Sequence, residues 1–111
     1  LYNFDSAKQY SHVIVVEGPT DVWRTGPDSV AVLGKPSGMQ THMLATHWKK
    51  IIVLLDEDAK RESEDLLNIL KRTNPVVEVR LPESMDPGDF SSTAELRDYI
   101  GKSLVAQHFE L

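Results

Sequence analysis

The sequence predicts an α/β fold in which helices flank a central, mostly parallel four-stranded sheet. Four short β-rich runs, at residues 13–16, 30–33, 51–55 and 76–81, alternate with stretches of helical periodicity. The first three are continuously apolar, as strands covered on both faces require, whereas the fourth alternates at Val77, Val79 and Leu81 like a half-exposed edge strand. At 111 residues the chain has room for one core, since a domain of this size buries roughly two-thirds of its unfolded surface.

The elements follow in order. Residues 1–11 read as a lead-in, 12–90 as the motif-bearing core and 91–111 as a C-terminal helical segment, together one domain, 1–111, cut from a longer protein. A short helix at 20–25 is stopped by Gly26 and Pro27, with Gly26 suited to a left-handed cap. The next, at 39–48, follows Ser37-Gly38-Met39-Gln40, a capping box. The helix at 59–72 carries an apolar stripe of Leu66, Leu67, Ile69 and Leu70. Lys60/Glu64 and Arg61/Asp65 are spaced as i,i+4 ion pairs on its outer face, and Lys71 and Arg72 suit the negative end of its dipole. Asn74-Pro75 ends it. A last helix at 93–104 opens on Ser92-Thr93-Ala94-Glu95, a second capping box, and is expected to bury Leu96, Tyr99, Ile100 and Leu104.

Composition excludes several classes of function. Without cysteine there is no disulfide framework, thiolate zinc site or cysteine nucleophile. The longest aliphatic run, residues 51–55, falls far short of the ~20 residues needed to cross a bilayer. No charged-then-apolar leader opens the chain, and cytoplasmic residence is the expectation. Seventeen acids against 12 bases argue against a module that holds phosphate backbones by bulk charge, so nucleic-acid contact requires metal ions or neighbouring domains.

The acids are positioned unevenly. In open α/β sheets the functional crevice lies beyond the carboxyl ends of the strands. Strand one leads into Glu17-Gly18-Pro19-Thr20-Asp21, strand three into Asp56-Glu57-Asp58, and strand four, after a short loop, into Asp86-Pro87-Gly88-Asp89. Seven acids (Glu17, Asp21, Asp56, Glu57, Asp58, Asp86 and Asp89) are thereby expected on one rim. Crowded carboxylates repel, so either some are protonated or cations sit among them. Oxygen-only ligands favour Mg²⁺ or Mn²⁺ over zinc. Gly18 is expected to free the backbone for a sharp turn, and Asp21 to cap or brace it.

These residues resemble a Toprim domain, the metal-binding module shared by primases, type IA and type II topoisomerases and several nucleases. Val13-Ile14-Val15-Val16-Glu17-Gly18-Pro19-Thr20-Asp21-Val22 is similar to the family's glutamate motif, and Ile51-Ile52-Val53-Leu54-Leu55-Asp56-Glu57-Asp58 to its Asp-x-Asp motif. Leu81-Pro82-Glu83-Ser84-Met85-Asp86-Pro87-Gly88-Asp89-Phe90 resembles the third acidic segment of bacterial-type primases and phage primase-helicases. The resemblance implies a compact Toprim-like (Rossmann-like) fold. It makes Glu17 the acid-base or metal-bridging glutamate, Asp56 and Asp58 metal ligands, and Asp86 a further ligand near the incoming nucleotide. The implied cofactor is one or two Mg²⁺ or Mn²⁺ ions. The implied partners are a DNA or RNA/DNA template, nucleoside triphosphates held through metal, and other domains of the parent chain. The implied activity is nucleotidyl transfer in a DNA primase or primase-helicase, with a Toprim nuclease or a non-catalytic metal-binding or assembly module as alternatives. Glu57 stands where primases commonly have glycine, and Gly88 where they often place an aspartate, leaving Asp89 as a shifted substitute. Ala59-Lys60-Arg61 replaces their small, Gly-containing continuation.

Other residues have simpler readings beside functional ones. Lys35, in a loop without a Walker pattern, and Lys60 and Arg61, after the acids, are weak candidates for phosphate or nucleic-acid contact. Trp23 and Trp48 offer stacking surfaces for bases, although packing is the commoner role of tryptophan. His12, His42, His47 and His108 have neither triad nor metal spacing and read as surface or packing residues.

Overall fold

Four strands, β1 (His12–Val16), β2 (Ser29–Ala31), β3 (Lys50–Val53) and β4 (Val76–Glu78), form one all-parallel sheet in the order β2-β1-β3-β4. The structure, a computed structural model, describes residues 1–34, 36–55 and 60–111, apart from the side chains of Lys60 and Glu62. Val15 is in register with Val30 on one side and Val53 on the other, and Val53 with Glu78, so the four carboxyl ends finish on a common edge.

Period-two alternation sends neighbouring residues of each strand to opposite faces. On one face Val13, Val15, Val30, Ile51 and Val53 pack with Leu44 and Trp48, and with Leu66 and Leu70. These come from α3 (Gly38–His47) and the residue after it, and from α4 (Lys60–Leu70). On the other face Ile14, Val16, Ala31, Ile52 and Val77 pack with Val22, Leu96, Ile100 and Leu104, from α2 (Pro19–Thr25) and α5 (Thr93–Ala106). Two cores explain why the first three runs contain no polar residue.

Both sheet edges are blunted, as exposed edges must be to avoid pairing with other chains. Outside β2, Tyr2 exchanges backbone hydrogen bonds of 3.1 and 3.2 Å with Ala31, and the Asn3 side-chain amide donates to the Ser29 carbonyl at 3.0 Å. Outside β4, the Gln107 amide donates to the Glu78 carbonyl at 2.9 Å and the Tyr99 hydroxyl to the Arg80 carbonyl at 2.6 Å.

Four details depart from the sequence reading. The lead-in contains a short helix, α1 (Phe4–Ala7), with Ala7 wholly buried and its carbonyl accepting from the Trp48 indole N–H at 3.0 Å. The ladder of β2 ends early because Leu33 turns into the left-handed region (φ 56°) and donates its N–H to the Glu17 carbonyl at 2.9 Å. β4 ends at Glu78; Val79 still donates to the Val53 carbonyl, but the chain then leaves the ladder towards Pro82, which has no N–H to give. In α4 the inward row is Ser63, Leu66 and Leu70, while Ile69 is half exposed. Ser63 keeps its place in the core by donating its hydroxyl to the Glu78 carboxylate.

The two capping boxes form to different extents. Ser37 and Gln40 exchange both bonds at 3.1 Å, whereas Ser92 accepts from the Glu95 N–H and the Glu95 carboxylate turns instead to the Ser91 hydroxyl. No helix among the described residues is long and apolar enough to cross a membrane.

At the amino ends of the strands lies a buried carboxylate that composition does not reveal. Asp28 is 3% exposed, receives two hydrogen bonds from Arg97 at 2.8 and 2.9 Å, and lies 2.7 Å from His12 Nε2. Arg97 also donates to the Thr25 carbonyl at 3.0 Å, fastening α5 to the end of α2. Gly26 is required there, both for its φ of 130° and because an added Cβ would meet the guanidinium at 3.1 Å. Burial works to raise the Asp28 pKa, but the hydrogen bonds and positive charges of His12 and Arg97 outweigh it and hold the carboxyl well below its ordinary 3.8.

A depressed folded pKa contributes stability that is present above the unfolded value and is lost as pH falls through the folded one. The melting temperature should therefore decline from about pH 4 downward, following the ordinary carboxyl value. Asp28→Asn should flatten that decline and cost about 2–3 kcal/mol at neutral pH, because the guanidinium loses its charged partner. Urea unfolding across pH checks both.

Candidate functional site

The chain runs from β1 outward to β2, then back across β1 to β3 and on to β4. Right-handed crossovers then require the helix after β1 and the helix after β3 to lie on opposite faces, and they do: α2 packs on the second core and α4 on the first. The carboxyl ends of β1 and β3 are therefore adjacent strand ends whose following helices lie on opposite faces. In open α/β sheets such a switch point is where ligands bind.

Glu17 stands on the β1 side of this switch point. It follows the last residue of β1, its side chain is partly exposed, and its carbonyl is held by the Leu33 N–H. Gly18 is the N-cap of α2 and donates its N–H to Asp21 Oδ2 at 3.1 Å, so Asp21 braces the turn as expected. The reason offered for Gly18 is corrected. Its φ of −131° is extended backbone open to any residue, and an added Cβ would make only an ordinary contact with Asp21, at 3.8 Å.

On the β3 side the described residues run to Leu55, buried at the end of the apolar run. The expected ligands Asp56 and Asp58, with Glu57 between them, lie outside the described residues, as does Lys35. Arg61 is exposed on the first turn of α4. Among the described residues, no three histidine, aspartate or glutamate side chains are grouped so as to hold a metal ion.

The third acidic segment forms a 3-10 turn, Pro87–Asp89, which packs against α2 and so stands beside the helix that Glu17 and Gly18 introduce. Pro87 and Phe90 are buried and anchor the segment, leaving Asp86 and Asp89 exposed. Asp89 Oδ2 accepts from the Asp86 N–H at 2.8 Å, repeating the brace that Asp21 gives Gly18. A side chain at Gly88 would bring its Cβ within 3.1 Å of Asp86 Oδ1. The aspartate that primases often carry there would crowd an existing carboxylate in this turn.

Compared with known proteins, the chain matches no family model, and no curated protein and no solved structure matches it.

Sequence reasoning missed two features. His12, read as a surface or packing residue, is the hydrogen-bond partner of buried Asp28, and only the fold brings Arg97, 69 positions from Asp28, to the same carboxylate. The two tryptophans also separate: Trp48 is 2% exposed in the core, and Trp23 is 70% exposed.

Asp21→Ala leaves the Gly18 N–H without its brace and should cost about 1 kcal/mol, the usual effect of losing an N-terminal cap. Thermal unfolding of the variant beside Asp21→Asn, whose amide oxygen can still accept, separates the hydrogen bond from the charge.

Proposed function

We propose that this chain is a metal-dependent phosphoryl- or nucleotidyl-transfer domain of Toprim type acting on nucleic acid, most similar in its motifs to those of DNA primases and primase-helicases. The observation that carries the reading is the juxtaposition of β1 and β3. These adjacent parallel strands run out at the topological switch point, one leading directly into Glu17 and the other, through Leu54 and Leu55, into the sequence Asp56-Glu57-Asp58.

The donor set is all oxygen, which suits Mg²⁺ or Mn²⁺, with Glu17, Asp56, Asp58 and Asp86 as the residues to hold one or two ions. Bound there, the metal supplies charge neutralisation for a phosphoryl group undergoing in-line displacement. The chain's own contributions are separate. Glu17, partly exposed at the carboxyl end of β1, can take or return a proton at the attacking oxygen. The Leu33 N–H fixes the backbone at Glu17, and the Asp21 brace fixes the turn after it, so that the carboxylate leaves a rigid platform. Dications also reconcile an acidic surface with phosphate-bearing partners, namely a template strand and nucleoside triphosphates. The expected setting is cytoplasmic and nucleic-acid associated, within a larger protein.

Mn²⁺ titration followed by amide NMR tests the site. Resonances of residues 16–18 and 54–58 should broaden first. Broadening confined to the distant α5 face would overturn the assignment. Asp58→Asn should weaken Mn²⁺ binding by about tenfold, the scale of one lost ligand or its support. Glu17→Gln should abolish turnover in the parent protein while leaving the melting temperature unchanged.

A further inference from the structure

Exposed tryptophan is uncommon, and Trp23 is held in place rather than loose. Its indole N–H donates to the Tyr2 hydroxyl at 2.9 Å, and Tyr2 is itself fixed to Ala31 by two backbone hydrogen bonds. The polar handles of the two rings therefore satisfy each other, and what remains for a ligand is ring face. Trp23 is 70% exposed and Tyr2 38%. Two residues beyond Ala31, Leu33 is 61% exposed in a left-handed conformation, with its N–H on the Glu17 carbonyl. Strained backbone of this kind persists where the surrounding structure over-determines it, and it clusters at binding sites.

Trp23, on α2, meets Tyr2 outside β2, and Leu33 follows Ala31, the backbone partner of Tyr2, to the rim that carries Glu17. Together they expose roughly 350 Å², scaling from the 150–250 Å² of an aromatic side chain. A stable protein partner needs about 800 Å² on each side. The patch is thus undersized for a protein interface and matched to one or two flat rings.

We propose that Trp23 and Tyr2, with Leu33 beside them, form a stacking platform for an unpaired base of a single nucleic-acid strand whose phosphates pass the acidic rim. The inference rests on the functional reading above for the identity of the occupant. Ring faces accept any base, so the platform holds the strand without selecting sequence. Its rings carry no charge, so it contributes affinity independently of metal.

The test is fluorescence anisotropy of a labelled twelve-nucleotide oligothymidylate with the full chain, in Mg²⁺ and in EDTA. Trp23→Leu should weaken binding roughly 5- to 150-fold in both conditions, the range that loss of one base–aromatic stack produces. Trp23→Phe should retain most of the affinity, and the red-shifted emission of the exposed tryptophan should be quenched as oligonucleotide is added. Equal affinity of the wild type and Trp23→Leu, with both folded by circular dichroism, overturns the platform. So does sedimentation showing a dimer that Trp23→Leu dissociates, which would make a second copy the occupant. Loss of Mn²⁺ binding at residues 16–18 with an intact Trp23 effect would instead defeat the catalytic reading alone.

Discussion

The reversal in the order of strand addition, outward from β1 to β2 and then back to β3 on the other side of β1, is the constraint on which the rest of this molecule depends. A parallel sheet grown in one direction places every crossover helix on the same face. Growth outward to β2 and then back past β1 obliges the helices to divide between two faces. That division produces two cores and buries both sides of β1 and β3. It also sets the helices that follow the adjacent strands β1 and β3 on opposite faces. The switch point is not added to the fold; it is where the helices part.

Much of this was legible in the residues. Alternation of Ile14 and Val16 against Val13 and Val15 cannot be satisfied by a half-exposed strand, so continuous apolar runs implied helices on both faces. The edge position of the fourth run followed from its own alternation, and the turn after Glu17 from an aspartate at the third helical position. What could not be read depended on contacts distant in sequence. Ile69 looks like a core residue on its own helix, and it loses that place to Ser63 only because Glu78 on β4 offers the hydroxyl an acceptor. The first eleven residues have too little periodicity to announce a helix, yet Phe4 stacks edge-on against His47 and Trp48, at 4.9 and 5.8 Å. Of the candidate site, the Glu17 turn and the Asp86 turn are visible in the described residues, whereas Asp56 and Asp58 are not among them.

The two ends of the sheet treat carboxylates in opposite ways. At the amino end Asp28 is enclosed, and every interaction around it compensates its charge: a bidentate guanidinium, an imidazole nitrogen, and a glycine that lets the arginine approach. A buried pair of this sort adds little net stability but makes the loss of one partner expensive, and so it fixes one arrangement of α5 against α2. At the carboxyl end the acids on the Asp86 turn stay exposed, and hydrogen bonds to them come from backbone N–H groups. Such bonds orient a carboxylate without cancelling its charge. A compensated, buried charge lies at one end, and the exposed carboxylates of Asp86 and Asp89 lie at the other.

That asymmetry bears on how an acidic domain can meet an acidic polymer. A net charge of −5 repels phosphates at long range, and salt screens this repulsion over about 8 Å at physiological ionic strength. Inside that distance the outcome depends on local chemistry. On the proposed reading, carboxylates at the rim would concentrate dications, which would reverse the sign of the rim as a phosphate meets it. The ring surface proposed outside β2 would be indifferent to charge and would contribute attraction that neither salt nor metal alters. The two effects would act on different parts of the same nucleotide, one on its phosphate and the other on its base. A single scaffold would then set the distance between them.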